Sequence, residues 1–131
     1  MHKAFHDRLP GRRPKDFQLF DHVLSLQQCL YSFENDLYIK DLKILELGRT
    51  LSDIVIVDNN VQSFYLQLTN GIPIYDFEGD KQDSILVNLT AYLKTFLDEE
   101  DVRVKINEDF QIMRILEERG TLGKIELWTL D

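Results

Sequence analysis

Hydrophobic and polar positions divide the chain into short blocks. The longest unbroken apolar block is Ile54-Val55-Ile56-Val57, which gives way to Asp58-Asn59-Asn60 within one residue. An uninterrupted β-branched run predicts a strand covered on both faces, the habit of a parallel sheet. Ligands of open α/β sheets gather at the carboxyl ends of such strands. Asp58 and Asn59 therefore head the list of candidate functional residues, although acids and amides after a strand commonly form turns or helix caps.

The other blocks predict the elements around this strand. Phe17 to Ser25 alternates loosely, as a strand would, and Cys29–Phe33 and Leu37–Ile39 flank Glu34-Asn35-Asp36 as a hairpin. Lys40 to Leu47 reads as a short helix with Leu42, Ile44 and Leu45 on one side and Gly48 in a C-cap position. Val61–Leu66 forms one or two turns, and Asn70-Gly71 is a turn. Gly71–Tyr75 is a short strand that Pro73 confines to a sheet edge. Asp83 can cap a helix bearing Leu86, Leu89, Leu93, Phe96 and Leu97 at helical spacing, and Glu99-Glu100-Asp101 ends it as a solvated turn. A second helix runs from Asn107 to Glu118 and stops at Gly120, and Lys124–Leu130 alternates like a strand. Strands interleaved with helices predict an α/β layered fold.

Composition narrows the function classes. A length of 131 residues suits one domain. No apolar run approaches the roughly 18 residues of a membrane span. The start, Met1-His2-Lys3-Ala4-Phe5, lacks the apolar core of a secretory signal. One cysteine, Cys29, rules out an intrachain disulfide or a cysteine zinc cluster, and it reads as a small buried apolar residue. Residues 1–16 carry five basic against two acidic side chains, so the remainder holds −11 of an overall −8. An acidic body argues against nucleic acid as a partner, and the basic head reads as a solvated tail. Neither a GxGxxG nor a GxxxxGK phosphate loop occurs, and there is no GxSxG elbow. His2 and His6 are four apart but lie in a stretch broken by Pro10 and Pro14, a poor setting for a metal site.

Several segments acquire meaning together and in order. They are Phe20-Asp21-His22-Val23-Leu24, Gln28-Cys29-Leu30, Tyr38-Ile39-Lys40-Asp41-Leu42 and Gly48-Arg49-Thr50-Leu51-Ser52-Asp53 running into Ile54–Asn59. Phe64-Tyr65-Leu66-Gln67, Asn70-Gly71-Ile72-Pro73-Ile74, the Leu-rich helix after Asp83 and Asp101-Val102-Arg103 complete the set. The series resembles the C-terminal half of the phosphatase domain that acts on the RNA polymerase II C-terminal repeats. That family includes the small C-terminal-domain phosphatases and the Dullard type, within the haloacid dehalogenase superfamily. The resemblance implies a partial Rossmann-like parallel sheet with flanking helices and a small hairpin. It divides the chain into a basic irregular segment 1–16, a phosphatase-like part 17–106 and a C-terminal helix and tail 107–131.

The resemblance implies a magnesium-dependent protein serine/threonine phosphatase working through an aspartyl phosphate. Lys40 matches the lysine that clamps the phosphate, while Asp58 and Asn59 match the acid–amide pair of the Mg2+ site. Asn59 is then the direct ligand and Asp58 its support. These roles are chemically reasonable, because a hard cation takes oxygen ligands and a fixed ammonium stabilises phosphoryl charge. The substrate would be a phosphoprotein, and the family points to the nucleus or cytoplasm rather than the mitochondrion.

The chain also departs from the family. The Asp-x-Asp-x-Thr motif that carries the nucleophile does not occur, and about 40 residues before Lys40 are too few for two parallel strands and their crossovers. The Ser/Thr motif is missing, and Ser25-Leu26-Gln27-Gln28-Cys29 lacks the family's arginine. Lys40 lies 18 residues before Asp58, a longer spacing than usual that could turn it away from the site. The sequence is therefore expected to be a truncated family member, inactive alone, whose central strand keeps an unpaired edge. Three outcomes are open: a second polypeptide supplies the missing neighbour, the N-terminal segment folds in as a substitute, or the chain is a partial gene product that does not fold well alone. Two alternatives stand beside this reading. One is a non-catalytic interaction module like the mitochondrial inner-membrane import receptor of the same family, and the other is an unrelated α/β domain.

Overall fold

A computed structural model describes residues 19–120. The expectations for the basic head, His2, His6 and the strand at 124–130 lie outside those residues. The described part is a mixed α/β structure, consistent with a partial Rossmann-like fold. Strands β1 (Leu30–Ser32) and β2 (Leu37–Ile39) form the expected antiparallel hairpin, with Tyr31 opposite Tyr38. Strands β3 (Ile56–Asp58) and β4 (Gly71–Pro73) pair in parallel, with Ile56 opposite Gly71 and Asp58 opposite Pro73. A 3₁₀ stretch, Val61–Asn70, joins them and is kinked at Phe64 and Gln67. Helices α1 (Ile85–Lys94), α2 (Val102–Phe110) and α3 (Ile112–Glu118) follow.

The core lies on both faces of the β3–β4 pair. Successive strand side chains point to opposite faces. Ile56 packs with Phe64, Tyr65, Leu68 and Ile112. Val55 and Val57 pack with Ile72, Phe96, Val102 and Ile106. The expected two-sided cover of the aliphatic run is thus present, though Val55, Ile56 and Val57 are only half-buried. Their remaining exposure comes from the edge of β3 away from β4. The Ile74 N–H donates to the Asp58 carbonyl at 3.1 Å, so Ile56 and Asp58 turn their backbone groups to β4. Val55 and Val57 turn theirs to the open edge.

Two buried contacts fix this arrangement. Phe64 is fully buried and lies against the backbone of Gly71, where an added Cβ would fall inside the ring. Asn70, 1% exposed, donates its amide to the carbonyls of Leu51 at 2.6 Å and Ile54 at 2.8 Å. Asn70-Gly71 is therefore a helix end running into β4, in place of the free-standing turn read from the sequence.

Several expectations are corrected. Among residues 19–25 no strand forms, and Phe20, Val23 and Leu24 are exposed. Among the described residues no strand pairs with them, and alternation alone does not bury a segment. The short helix is a 3₁₀ turn, Leu42–Leu45, capped by Asp41, which accepts from the Lys43 N–H at 3.0 Å. The leucine stripe of α1 and the turn beyond it splits. Leu89 and Phe96 pack inward, while Leu86 and Leu97 are 68% and 82% exposed. Asp101 belongs to a cap, accepting the Arg103 N–H at 3.0 Å, so the helix expected from Asn107 begins at Val102. It breaks at Gln111, whose φ of 51° is left-handed, and Phe110 and Ile112 can then both reach the core. Cys29 is half-buried rather than buried.

The Phe64–Gly71 approach gives the first test. Gly71→Ala should cost about 1–3 kcal/mol through overpacking. The cost should shrink when Phe64→Leu is introduced with it, because residues in contact are not additive. Urea unfolding of the two single variants and the double variant measures this coupling.

A second test concerns acid. The Tyr92 hydroxyl donates to Asp109 at 2.6 Å and Lys105 lies 3.2 Å away. The Tyr92 bond, then the lysine, holds the Asp109 carboxyl below its usual range. A depressed carboxyl stabilises the fold above its unfolded pKa and loses that contribution as pH falls through the folded one. Asp109→Asn should therefore flatten the stability loss below about pH 4, by under about 1 kcal/mol since Asp109 is partly exposed. Urea midpoints across the acid range, variant against parent, give the difference.

Candidate functional site

The site forms where β3 ends. Lys40, the residue after β2, is tied to the connection leaving β3 by its N–H, which donates to the Ser63 carbonyl at 2.7 Å. Gln67, buried in the kinked stretch, holds the following turn. Its Oε1 accepts the Leu42 N–H at 3.0 Å and its Nε2 donates to Asp41 at 2.7 Å. Gln67 was not legible as a positioning residue from sequence, because nothing in its neighbours announces that a polar side chain faces inward there.

The Lys40 Nζ lies 2.5 Å from Asp58 Oδ2. The 18-residue spacing therefore does not turn Lys40 away. Asp58 is buried, whereas the Lys40 side chain is half-exposed. The second carboxylate oxygen, Oδ1, accepts the Asn60 N–H at 2.9 Å, and Asn60 in turn caps the next stretch by accepting from the Gln62 N–H at 3.0 Å. Both oxygens of Asp58 thus have donors. Asn59 donates its Nδ2 to Asp76 Oδ1 at 2.6 Å, a partner that sequence reasoning missed. Asp76 lies 17 residues on, and only the β3–β4 pairing brings the two together.

These groups line one cleft of about 630 Å³. Lys40, Asp58 and Asn59 line it together with Tyr75, Phe77 and Leu86. The structure therefore brings all three sequence-predicted residues into one place. Among the described residues, no three His, Cys, Asp or Glu side chains are grouped to hold a metal ion. This donor set does not by itself complete a site for a hard cation, because both Asp58 oxygens have donors, which leaves the Asn59 Oδ1 as the free oxygen of the pair. A second, apolar groove of about 460 Å³ runs beside the open edge of β3, lined by Leu24, Leu26, Cys29, Leu42, Leu45 and Val57 among others.

The ion pair gives a stability test. Lys40→Met leaves the buried Asp58 carboxylate with the Asn60 N–H as its remaining donor among the described residues. The cost should be about 1 kcal/mol, the low end for an unpaired buried group because Lys40 is half in water. Lys40→Met combined with Asp58→Asn should cost less than the two singles summed. Urea titration reads this, and additive costs would show that the pair is not coupled.

Comparison with known proteins shows the family to which the chain belongs. Residues 11–103 match the family described as NLI interacting factor-like phosphatase. The chain is 40% identical over 88 residues to CTD small phosphatase-like protein 2 of Dictyostelium discoideum, covering 67% of this chain and 15% of that protein. It is 45% identical over 73 residues to CTD small phosphatase-like protein 3 of Caenorhabditis elegans, covering 56% and 24%. The mouse mitochondrial import inner membrane translocase subunit TIM50 is also similar, 35% identical over 68 residues, covering 50% and 19%. The chain spans a quarter or less of the length of each of these relatives. The family match over most of the chain, with the Lys40, Asp58 and Asn59 side chains gathered at one strand end, makes this protein a member of the NLI interacting factor-like phosphatase family.

Proposed function

We propose that this polypeptide carries the phosphate-clamping and cation-binding side of a haloacid dehalogenase-type protein phosphatase and lacks turnover alone. The observation that carries the reading is the Lys40–Asp58 ion pair at the carboxyl end of a parallel strand, beside Asn59. Lys40 offers an ammonium to the oxygens of a phosphoryl group, where developing charge needs a fixed cation. Asp58 holds that ammonium in place and does not compete for the substrate. Asn59, with Asp58 behind it, would supply one oxygen towards magnesium, the remaining ligands coming from outside the described residues. Bound magnesium would neutralise phosphoryl charge as a Lewis acid.

The attacking carboxylate is missing from this picture. No Asp-x-Asp-x-Thr occurs among the 131 residues. Removing a nucleophile typically lowers turnover by about 10⁴- to 10⁶-fold. The open edge of β3 supports a remedy. Its free Val55 and Val57 backbone groups and the apolar groove beside it suit one further parallel strand. A segment bearing the Asp-x-Asp pair, from the same or another polypeptide, would complete both the sheet and the site. The natural substrate is then a phosphoprotein.

A second reading follows from the likeness to the translocase subunit: a non-catalytic module that receives peptides. The acid–amide pair with its clamped lysine favours the phosphatase reading. Capture of a mitochondrial presequence peptide over its scrambled control would favour the second.

The test is hydrolysis of a generic phosphomonoester by the full chain with magnesium. Expected is no turnover beyond that of Asn59→Ala. Robust turnover lost on changing Asp58 or Asn59 would overturn the inactivity. Adding a peptide with an apolar strand ending in Asp-x-Asp-x-Thr should slow hydrogen exchange at the Val55 and Val57 amides.

A further inference from the structure

We infer that the cleft selects a phosphorylated segment whose phosphoresidue is flanked by arginine and a large apolar side chain. The inference rests on the phosphate-clamping reading of Lys40 above and adds what must lie on either side of the phosphate. It starts from an exposed wall. Tyr75, Phe77, Leu86 and Val87 line the cleft with Lys40 and are 85%, 72%, 68% and 71% exposed. Large apolar side chains gathered around one cleft mark an interaction surface, whereas scattered ones do not.

Charge decides what that surface takes. Lys40 and Asp58 pair and cancel, so Asp76 and Asp83 leave the lining with two negative charges. Among the described residues neither has a basic partner. Asp76 accepts from Asn59 Nδ2 at 2.6 Å and Asp83 from the Ile85 N–H at 2.8 Å, both neutral donors. A phosphate monoester brings a further charge of about −1.5 to −2 at neutral pH. One ammonium, already shared with Asp58, does not offset that beside two carboxylates. The segment must therefore carry its own cations, which meet Asp76 and Asp83 while the phosphate meets Lys40. Arginine fits better than lysine, because Tyr75, Asp76 and Phe77 place an acid between two exposed aromatic residues of the lining. A guanidinium pairs with a carboxylate as a fork and stacks on an aromatic face, where an ammonium offers a point charge. Leu86 and Val87, in the first turn of α1, remain for the apolar side chain.

The test is fluorescence anisotropy of labelled peptides titrated with the full chain at low salt. The reference peptide holds one phosphoserine with an arginine and a leucine on each side. It should bind at least about 10-fold more tightly than the same peptide with glutamates for arginines, and added salt should shrink that ratio. Lysines for arginines should cost about 2- to 5-fold, and serines for leucines about 5-fold or more. Asp76→Asn with Asp83→Asn, which keeps both acceptors, should bring the arginine-to-glutamate ratio within about 3-fold. Lys40→Met should instead remove the gain from phosphate and keep the preference for arginine. Phosphate-dependent binding that ignores arginine against glutamate overturns the inference and leaves the Lys40 reading standing. Arginine-selective binding that gains nothing from phosphate refutes the Lys40 reading and this choice of occupant with it. A ratio unchanged in the double aspartate variant, or no binding of the reference peptide, also overturns the inference. So do concentration-dependent shifts of the Tyr75 and Phe77 amides without peptide, which would give the wall to a second copy of the chain.

Discussion

The contact on which the rest depends is the Phe64 ring lying on the backbone of Gly71. Only a residue without a side chain lets a ring approach a strand this closely. The approach seats the kinked 3₁₀ stretch over the β3–β4 pair and holds β4 in register with β3. That register does two jobs. It gives the aliphatic run a neighbour, and it brings the chain after Pro73 alongside the residues after Val57. The buried Asn70 reinforces it, joining the start of β4 to the carbonyls of Leu51 and Ile54 just before β3.

The site inherits its geometry from this frame. Asp58 is buried because it closes the ladder, so it needs a cation, and Lys40 meets that need from the far end of the hairpin. Burying a carboxylate without a partner is costly, so the Lys40–Asp58 pair also secures the fold. Gln67 and the Ser63 carbonyl hold the backbone around Lys40, which leaves the ammonium little choice of place. Asn59 stands apart from that network and answers to Asp76 instead.

The same frame leaves one side unfinished. Val55 and Val57 line an apolar groove where, among the described residues, no strand lies on the side of β3 away from β4, and Leu24 and Leu26 stand exposed around it. Half-buried aliphatic residues at a bare sheet edge invite pairing.

Much of this was legible in the sequence. The β-branched run, Pro73 at an edge and the hairpin all depend on local spacing, which a sequence displays directly. The family followed from the resemblance carried by the ordered motifs around Lys40, Asp58 and Asn59. Other features did not show. Phe17–Ser25 alternates, yet its described part, residues 19–25, forms no strand, because a strand needs a neighbour and periodicity does not supply one. Asp101 looked like part of an acidic turn, and only its bond to the Arg103 N–H reveals a cap. Gln67 and Asp76 are ordinary polar residues in the sequence. Their partners lie 25 and 17 residues away, and such pairings exist only once β3, β4 and the stretch between them have packed.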